Sequence, residues 1–269
     1  MTDHPHSMQI IREGSDQHEL AIYLAIHEYL SKGYAVVYSA ETVSTVQILK
    51  KMKRMKMVND IEDYIENNVL TIVDGEAVSS QKKNFTGIQF VNDLFSTALD
   101  ARSKSGRKKV IVIRNVDPLL ENAQNYARAV ESEKAIRAKF DENEKKVKEK
   151  IEVICCYNSA MIGRLSLSYL IQIAHAHVEK LHKYWRIYST WYPSAMIDMI
   201  ISGIEKSLDA RTAKLILKTF KLVYKMDENM IVSNPTAFEE TLRKLVGNSA
   251  AELILESIKE EVKRRMESL

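Results

Sequence analysis

The chain has 269 residues, 45% hydrophobic and 28% charged, an ordinary composition for a soluble globular protein of one or two domains that can bury a full core. Its 39 basic and 36 acidic side chains leave a net charge of only +3, so no global field drives it onto nucleic acid, and any such contact must come from a local patch. No segment approaches the roughly 18 uninterrupted apolar residues of a membrane span, and Met1 to His6 carry no apolar leader core, so a cytoplasmic protein is expected.

Met8-Gln9-Ile10-Ile11 reads as a first strand and His18 to Leu30 as the helix after it. The turn between them is Arg12-Glu13-Gly14-Ser15-Asp16-Gln17. A phosphate-binding loop at this place needs several glycines for its backbone cradle, a Lys for the outer phosphates and a Ser or Thr for magnesium. Only Gly14 and Ser15 fit, beside two carboxylates that would repel a nucleotide. A second strand, Tyr34 to Ser39, follows the helix stop at Gly33, and Thr45 to Met57 is an amphipathic, strongly basic helix with Val46, Leu49, Met52 and Met55 facing inwards. Val69 to Val73 is a third strand, and Ile88 to Ser103 a helix with Ile88, Val91, Leu94, Phe95 and Leu99 at helical spacing. Val110 to Ile113 is a fourth strand, ending in Arg114-Asn115-Val116-Asp117.

Glu121 to Lys150 is almost wholly charged in its second half and reads as a helix that projects into solvent or leans on a partner. Ile151 to Tyr157 is a further strand; Cys155 and Cys156 alternate on it and so point to opposite faces, which disfavours a bridge between them. Arg164 to Lys183 reads as a helix, and Trp185 to Tyr188 as a further edge strand. After Trp191-Tyr192-Pro193 no strand-like run follows. Four short helices are expected, punctuated by Pro193, by Asn234-Pro235 as a cap followed by a proline, and by Gly247-Asn248-Ser249. Apolar strands alternating with helices predict an α/β domain with a mostly parallel sheet covered by helices over 1–190, and a small all-α domain over 191–269.

Candidate chemistry is sparse. Asp117 follows an apolar strand, as a magnesium-binding acid would, but Arg114 and Asn115 intervene, and a strand end whose Asp117-Pro118 starts a turn is the simpler reading. His175, Glu179 and His182 share one helix face and offer a weak metal-ligand set. Cys155 is read as a packed small hydrophobe rather than a nucleophile. Lys50, Lys51, Lys53, Arg54 and Lys56 form the densest basic patch, a weak candidate for nucleic-acid phosphates and otherwise a solvated helix face.

With these blocks placed, the first 190 residues resemble the MEDS family of methanogen and methylotroph sensory domains. The resemblance rests on His18 to Gly33, Val36 to Glu41, Arg114, and Ile154-Cys155-Cys156-Tyr157-Asn158 in place of a Cys-x-Tyr-Asp block, with Ala174-His175-Ala176 where Thr-His-Pro is common. It implies a RecA-like α/β fold that has lost its phosphate loop and serves as a sensor without a cofactor or a catalytic activity. The tail resembles a small helical output domain of archaeal signalling proteins, which implies transmission of a signal, with a homodimer or a signalling protein as partner. A ligand-binding edge is expected from Gly14, Ser15, His18, Glu41, Arg114, Asp117, Tyr157 and Asn158, with Arg114 taking an anionic ligand group. A residual nucleotide-binding protein and a nucleic-acid-associated regulator acting through the basic helix stand as alternatives.

Overall fold

The computed structural model describes residues 6–11, 15–54, 61–75, 86–142, 150–177 and 192–267. They fall into two compact units, 1–161 and 162–269. The expected boundary at 189–192 and the expected strand Trp185 to Tyr188 fall on or beside residues 178–191, which lie outside the described ones.

In the first unit five strands form one sheet: β1 His6–Ile11, β2 Ala35–Ala40, β3 Leu70–Val73, β4 Val110–Asn115 and β5 Ile151–Asn158. Their order is β1-β5-β4-β2-β3 and every pairing is parallel. β2, β4 and β5 are buried along their whole lengths, which is why they read as largely apolar runs, interrupted by Ser39, Arg114, Asn115, Glu152 and Asn158, rather than as alternating ones. The helices of this unit are α1 Ser15–Ser31, α2 Thr45–Arg54, α3 Ile61–Glu66, α4 Gly87–Ser105, α5 Asp117–Leu120 and α6 Tyr126–Glu142, with α7 Ser159–Gly163 at its end.

The two faces of the sheet differ in chemistry. One is apolar: Ile22, Tyr23, Ile26 and Leu30 of α1 and Ile48 and Met52 of α2 pack with Val36, Tyr38, Ile111, Ile113, Ile154 and Cys156. The other lies under α4 and α6. Strand register sets Ser39 beside Arg114 and Arg114 beside Cys155 there, with His6 two residues off the Cys155 level on β1. The expected split of the two cysteines is therefore observed: Cys156 joins the apolar cluster and Cys155 the polar face.

Two helix readings change. In α2 Met52 is buried and Leu49 packs partly buried against the core as expected, but Ile48 is buried in place of Val46, which is 74% exposed; Met55 lies outside the described residues. The segment expected to project into solvent is instead, as far as Glu142, the sheet-covering helix α6. Ala129, Val130, Ile136 and Phe140 bury its inner face. Residues 143–149 lie outside the described ones.

The second unit contains α8 Leu167–Ala176, α9 Tyr192–Ser207, α10 Ala210–Leu222, α11 Glu228–Ser233, α12 Pro235–Val246 and α13 Asn248–Glu267. Five helices thus follow residue 191, where four were expected. The punctuation is as expected: Asn234 caps α12 by accepting from the Ala237 amide at 3.2 Å, Pro235 opens the helix, and Gly247 closes it with φ 82°. Met196, Ile200, Ile204, Phe220, Phe238, Leu242, Ile254, Ile258 and Val262 are buried in this unit, and Ser168 of α8 is tied to α12 through its amide to Glu239 at 2.8 Å. No described helix is long and apolar enough to cross a membrane.

Candidate functional site

Connections lead in opposite directions from the parallel neighbours β2, which goes outward to β3, and β4, which goes to β5, so the C-terminal ends of these strands mark the switch point where open α/β sheets usually receive ligands. Glu41 directly follows β2, and Arg114 and Asn115 close β4.

In place of an anionic ligand group, the structure supplies Arg114 with two internal carboxylates. The side chain is wholly buried; Nε donates to Glu41 Oε1 at 2.9 Å, Nη2 to the same oxygen and to Ser132 Oγ, and Nη1 to Glu133 Oε1. The Phe90 ring lies 5.5 Å from the guanidinium carbon. Burial works against the charge, but the Glu41 and Glu133 carboxylates outweigh it and hold the guanidinium protonated, above its usual range. A half-buried second cation, Arg128, reaches the other Glu41 oxygen at 3.4 Å.

Local structure explains this placement. The helix α4 begins at a capping box in which the Thr86 hydroxyl accepts from the Gln89 amide at 3.2 Å and the Thr86 amide donates to the Gln89 side chain at 3.1 Å. At Gly87 a Cβ would stand 2.7 Å from the Arg128 carbonyl and 2.7 Å from the Ser132 amide, so only glycine lets α4 close onto α6. The Gly87 amide then donates to Glu131 at 2.6 Å. That contact fixes Ser132 and Glu133 above Arg114.

Glu133 is the hub of the remaining polar face. Its Oε1 accepts from the Tyr157 hydroxyl at 2.6 Å as well as from Arg114. Its Oε2 accepts from the Cys155 thiol at 3.3 Å and lies 3.2 Å from His6 Nε2, which is 3.5 Å from Cys155 Sγ. Burial and then the Glu133 charge push the Cys155 thiol and the Tyr157 hydroxyl well above their ordinary ranges.

At the same strand ends, towards the apolar face, Asp117 is tied internally. Its Oδ1 accepts from the Asn158 amide at 2.8 Å, and its Oδ2 lies 3.0 Å from His18 Nδ1 on the first turn of α1. Asn115 Oδ1 accepts from the Asp117 amide at 3.2 Å, and Asn158 Oδ1 from the Ala160 amide at 2.8 Å. His18 is 2% exposed, and its Nε2 has no hydrogen-bond partner among the described residues. An imidazole whose Nδ1–H is held by a carboxylate presents Nε2 as a lone pair.

The structure thus brings Glu41, Arg114 and Tyr157 into one network and His18, Asp117 and Asn158 into another. Gly14 lies outside the described residues, and of Ser15 only its place at the start of α1 is described. Glu179 and His182 lie outside them too, while His175 sits on α8. In the basic patch Lys51 pairs with Glu19 at 2.5 Å and Lys53 with Glu62; Lys56 lies outside the described residues. Cys155, read as a packed hydrophobe, belongs to the polar network. Sequence reasoning missed His6, Arg128, Ser132 and Glu133. One signal was present: Ala129, Glu133, Ile136 and Phe140 fall at 4, 3 and 4 residue steps, a carboxylate inside an apolar stripe.

These features define a class first: a parallel α/β domain whose switch-point charges are neutralised from within and whose strand ends hold an oriented aspartate–histidine pair. Family comparison is more specific. Residues 5–178 match MEDS, the MEthanogen/methylotroph, DcmR Sensory domain, and the chain belongs to this family. Comparisons with curated proteins and with solved structures give no match.

Proposed function

We propose that this chain is a non-enzymatic signalling protein whose α/β unit binds a small molecule at the strand ends beside His18 and whose helical unit passes the bound state to a partner. The observation that carries the reading is the His18 imidazole, buried, held through Nδ1 by Asp117, with its Nε2 unpartnered among the described residues. A ligand bearing a hydroxyl, amine or other N–H or O–H donor answers that acceptor.

A RecA-like ancestry that has lost phosphate chemistry accords with the same atoms. Phosphoryl transfer depends on positioned cations and a metal-binding acid. Here Asp117 is tied to a backbone amide and an imidazole, and Arg114 to two carboxylates. Membership in a sensory-domain family supports signalling over hydrolysis. Exposed Leu215 and Leu222, one stripe of α10, with Val223 beyond its end, support a contact role for the helical unit, and we take a second copy as the partner.

Thermal-shift screening of the full-length chain against nucleotides and small polar metabolites tests the reading. The expected hit is a non-nucleotide donor ligand whose stabilisation disappears in His18→Ala. A hit unaffected by that substitution, in a variant that keeps its far-UV circular dichroism, places the ligand elsewhere and refutes the site.

A further inference from the structure

On the opposite side of the sheet from the ligand site, under α6, three chemically different side chains converge in a way the sensory reading does not use. His6 comes from the first residue of β1, Cys155 from β5 and Glu133 from the middle of α6, and all three are buried. Their nearest atoms form a closed triangle with edges of 3.2 Å (His6 Nε2 to Glu133 Oε2), 3.3 Å (Cys155 Sγ to Glu133 Oε2) and 3.5 Å (Cys155 Sγ to His6 Nε2). We propose that His6 Nε2, Glu133 Oε2 and Cys155 Sγ bind a divalent transition metal of the zinc class.

The dimensions are those such an ion imposes. Zinc bonded at its usual lengths to nitrogen, oxygen and sulfur in a tetrahedron separates the nitrogen and oxygen by about 3.4 Å and either of them from the sulfur by about 3.6 Å. A purely hydrogen-bonded reading accounts for two edges, with the thiol and the imidazole both donating to Glu133 Oε2. The third edge, between sulfur and nitrogen, then has no proton of its own, whereas a central ion accounts for all three at once. Imidazole, carboxylate and thiolate together suit zinc and cobalt, not the hard, oxygen-seeking cations.

The surroundings are those of a supported metal ligand. Glu133 divides its two oxygens: Oε1 is held by Arg114 and by the Tyr157 hydroxyl at 2.6 Å, which leaves Oε2 turned towards the sulfur and the imidazole. Outer partners of this kind fix a ligating carboxylate in place. Two of the three ligands stand on adjacent strands of a central sheet, so the site is rigid before any ion arrives. On binding, Cys155 loses its thiol proton to solvent, the sulfur lone pair forms the metal bond, and the ion sheds hydration water; no electron changes hands. Three ligands from this unit leave a tetrahedral ion a further position to fill.

Cobalt(II) titration of the chelator-treated, full-length chain tests the proposal, because a cobalt–thiolate bond gives a near-ultraviolet charge-transfer band and tetrahedral cobalt a visible ligand-field band. The wild type is expected to saturate at one equivalent and to lose both bands when zinc is added. Cys156→Ser keeps the charge-transfer band; since the chain has 2 cysteines, that result assigns the bond to Cys155 even if Cys155→Ser fails to fold. His6→Ala and Glu133→Gln weaken binding by at least about tenfold. Absence of the charge-transfer band in folded wild-type protein overturns the proposal, as does its loss in a folded Cys156→Ser. Neither result bears on the His18 ligand site, which lies across the sheet.

Discussion

Replacing Arg114 with methionine separates an arginine that holds the fold together from one kept for a ligand. Methionine fills much of the same volume but removes the charge that faces Glu41 and Glu133, all three groups being fully buried. Two carboxylates are then left in the interior without their buried cation: Glu41 keeps the half-buried Arg128 at 3.4 Å, and Glu133 keeps the Tyr157 hydroxyl at 2.6 Å and His6 at 3.2 Å. Removing one partner of a buried pair costs about 3–5 kcal/mol, because an uncompensated charge remains. Against a total stability on the order of 5–15 kcal/mol, that is a large fraction. At roughly 2–4 °C per kcal/mol for a domain of this size, the melting temperature falls by roughly 6–20 °C. Urea denaturation followed by far-UV circular dichroism gives the free energy directly if the slope is unchanged. Adding Glu133→Gln to Arg114→Met should recover part of the loss, with a coupling of about 1–3 kcal/mol, since one of the stranded charges disappears. The refuting result is an Arg114→Met protein as stable as the wild type or more so. That outcome is what a strained ligand-binding arginine gives, since function-bearing groups often cost stability.

In the helical unit, Glu261 is buried and accepts from Arg264 at 2.7 and 2.9 Å, from Arg265 at 2.9 Å and from Lys206. The Arg264 hydrogen bonds chiefly, with Lys206 and Arg265 adding to them, hold its carboxyl well below the usual range, so its contribution is fully present above about pH 4.3, the unfolded value, and fades as pH falls towards the folded one. Glu261→Gln is expected to cost about 1–3 kcal/mol at neutral pH and to flatten the acid-induced loss below about pH 5, as read by thermal melts across pH; an unchanged pH profile would count against the pairing. Gly203→Ala would place a Cβ 2.4 Å from the Ile258 Cα and 2.9 Å from its Cγ1, forcing α9 and α13 apart. A loss of about 1–3 kcal/mol is expected in chemical denaturation, and a neutral substitution would contradict the close helix approach.

The sheet was legible because its strands carry the strongest local signals. Val36-Val37-Tyr38, Val110 to Ile113 and, apart from Glu152, Ile151 to Cys156 are β-branched or apolar runs, and burial on both faces suits such runs. The caps at Asn234-Pro235 and Gly247 were equally local. Glu41, Arg114 and Tyr157 were expected at one edge, but the pairings inside the polar network were not legible, because the partners meet only after folding: Arg114 finds Glu41 from 73 residues away and Cys155 finds His6 from 149. Glu133 was hidden for a different reason. Its helix ends in a charged stretch, and a carboxylate on an otherwise apolar stripe looks like one more solvated charge until Arg114 is seen beneath it. The aspartate–histidine pair shows the same limit: His18 at the start of the first helix and Asp117 after the fourth strand were expected at one edge as ligand contacts, but nothing in the sequence paired them with each other.

Steady-state Mg-ATP turnover by the full-length chain tests most directly whether this sheet edge serves sensing or hydrolysis. A sensory domain with Asp117 tied to His18 and to the Asn158 amide is expected to show no turnover above a protein-free blank, and no change in Asp117→Ala. Turnover by the wild type that disappears in a folded Asp117→Ala protein would contradict the proposed function outright.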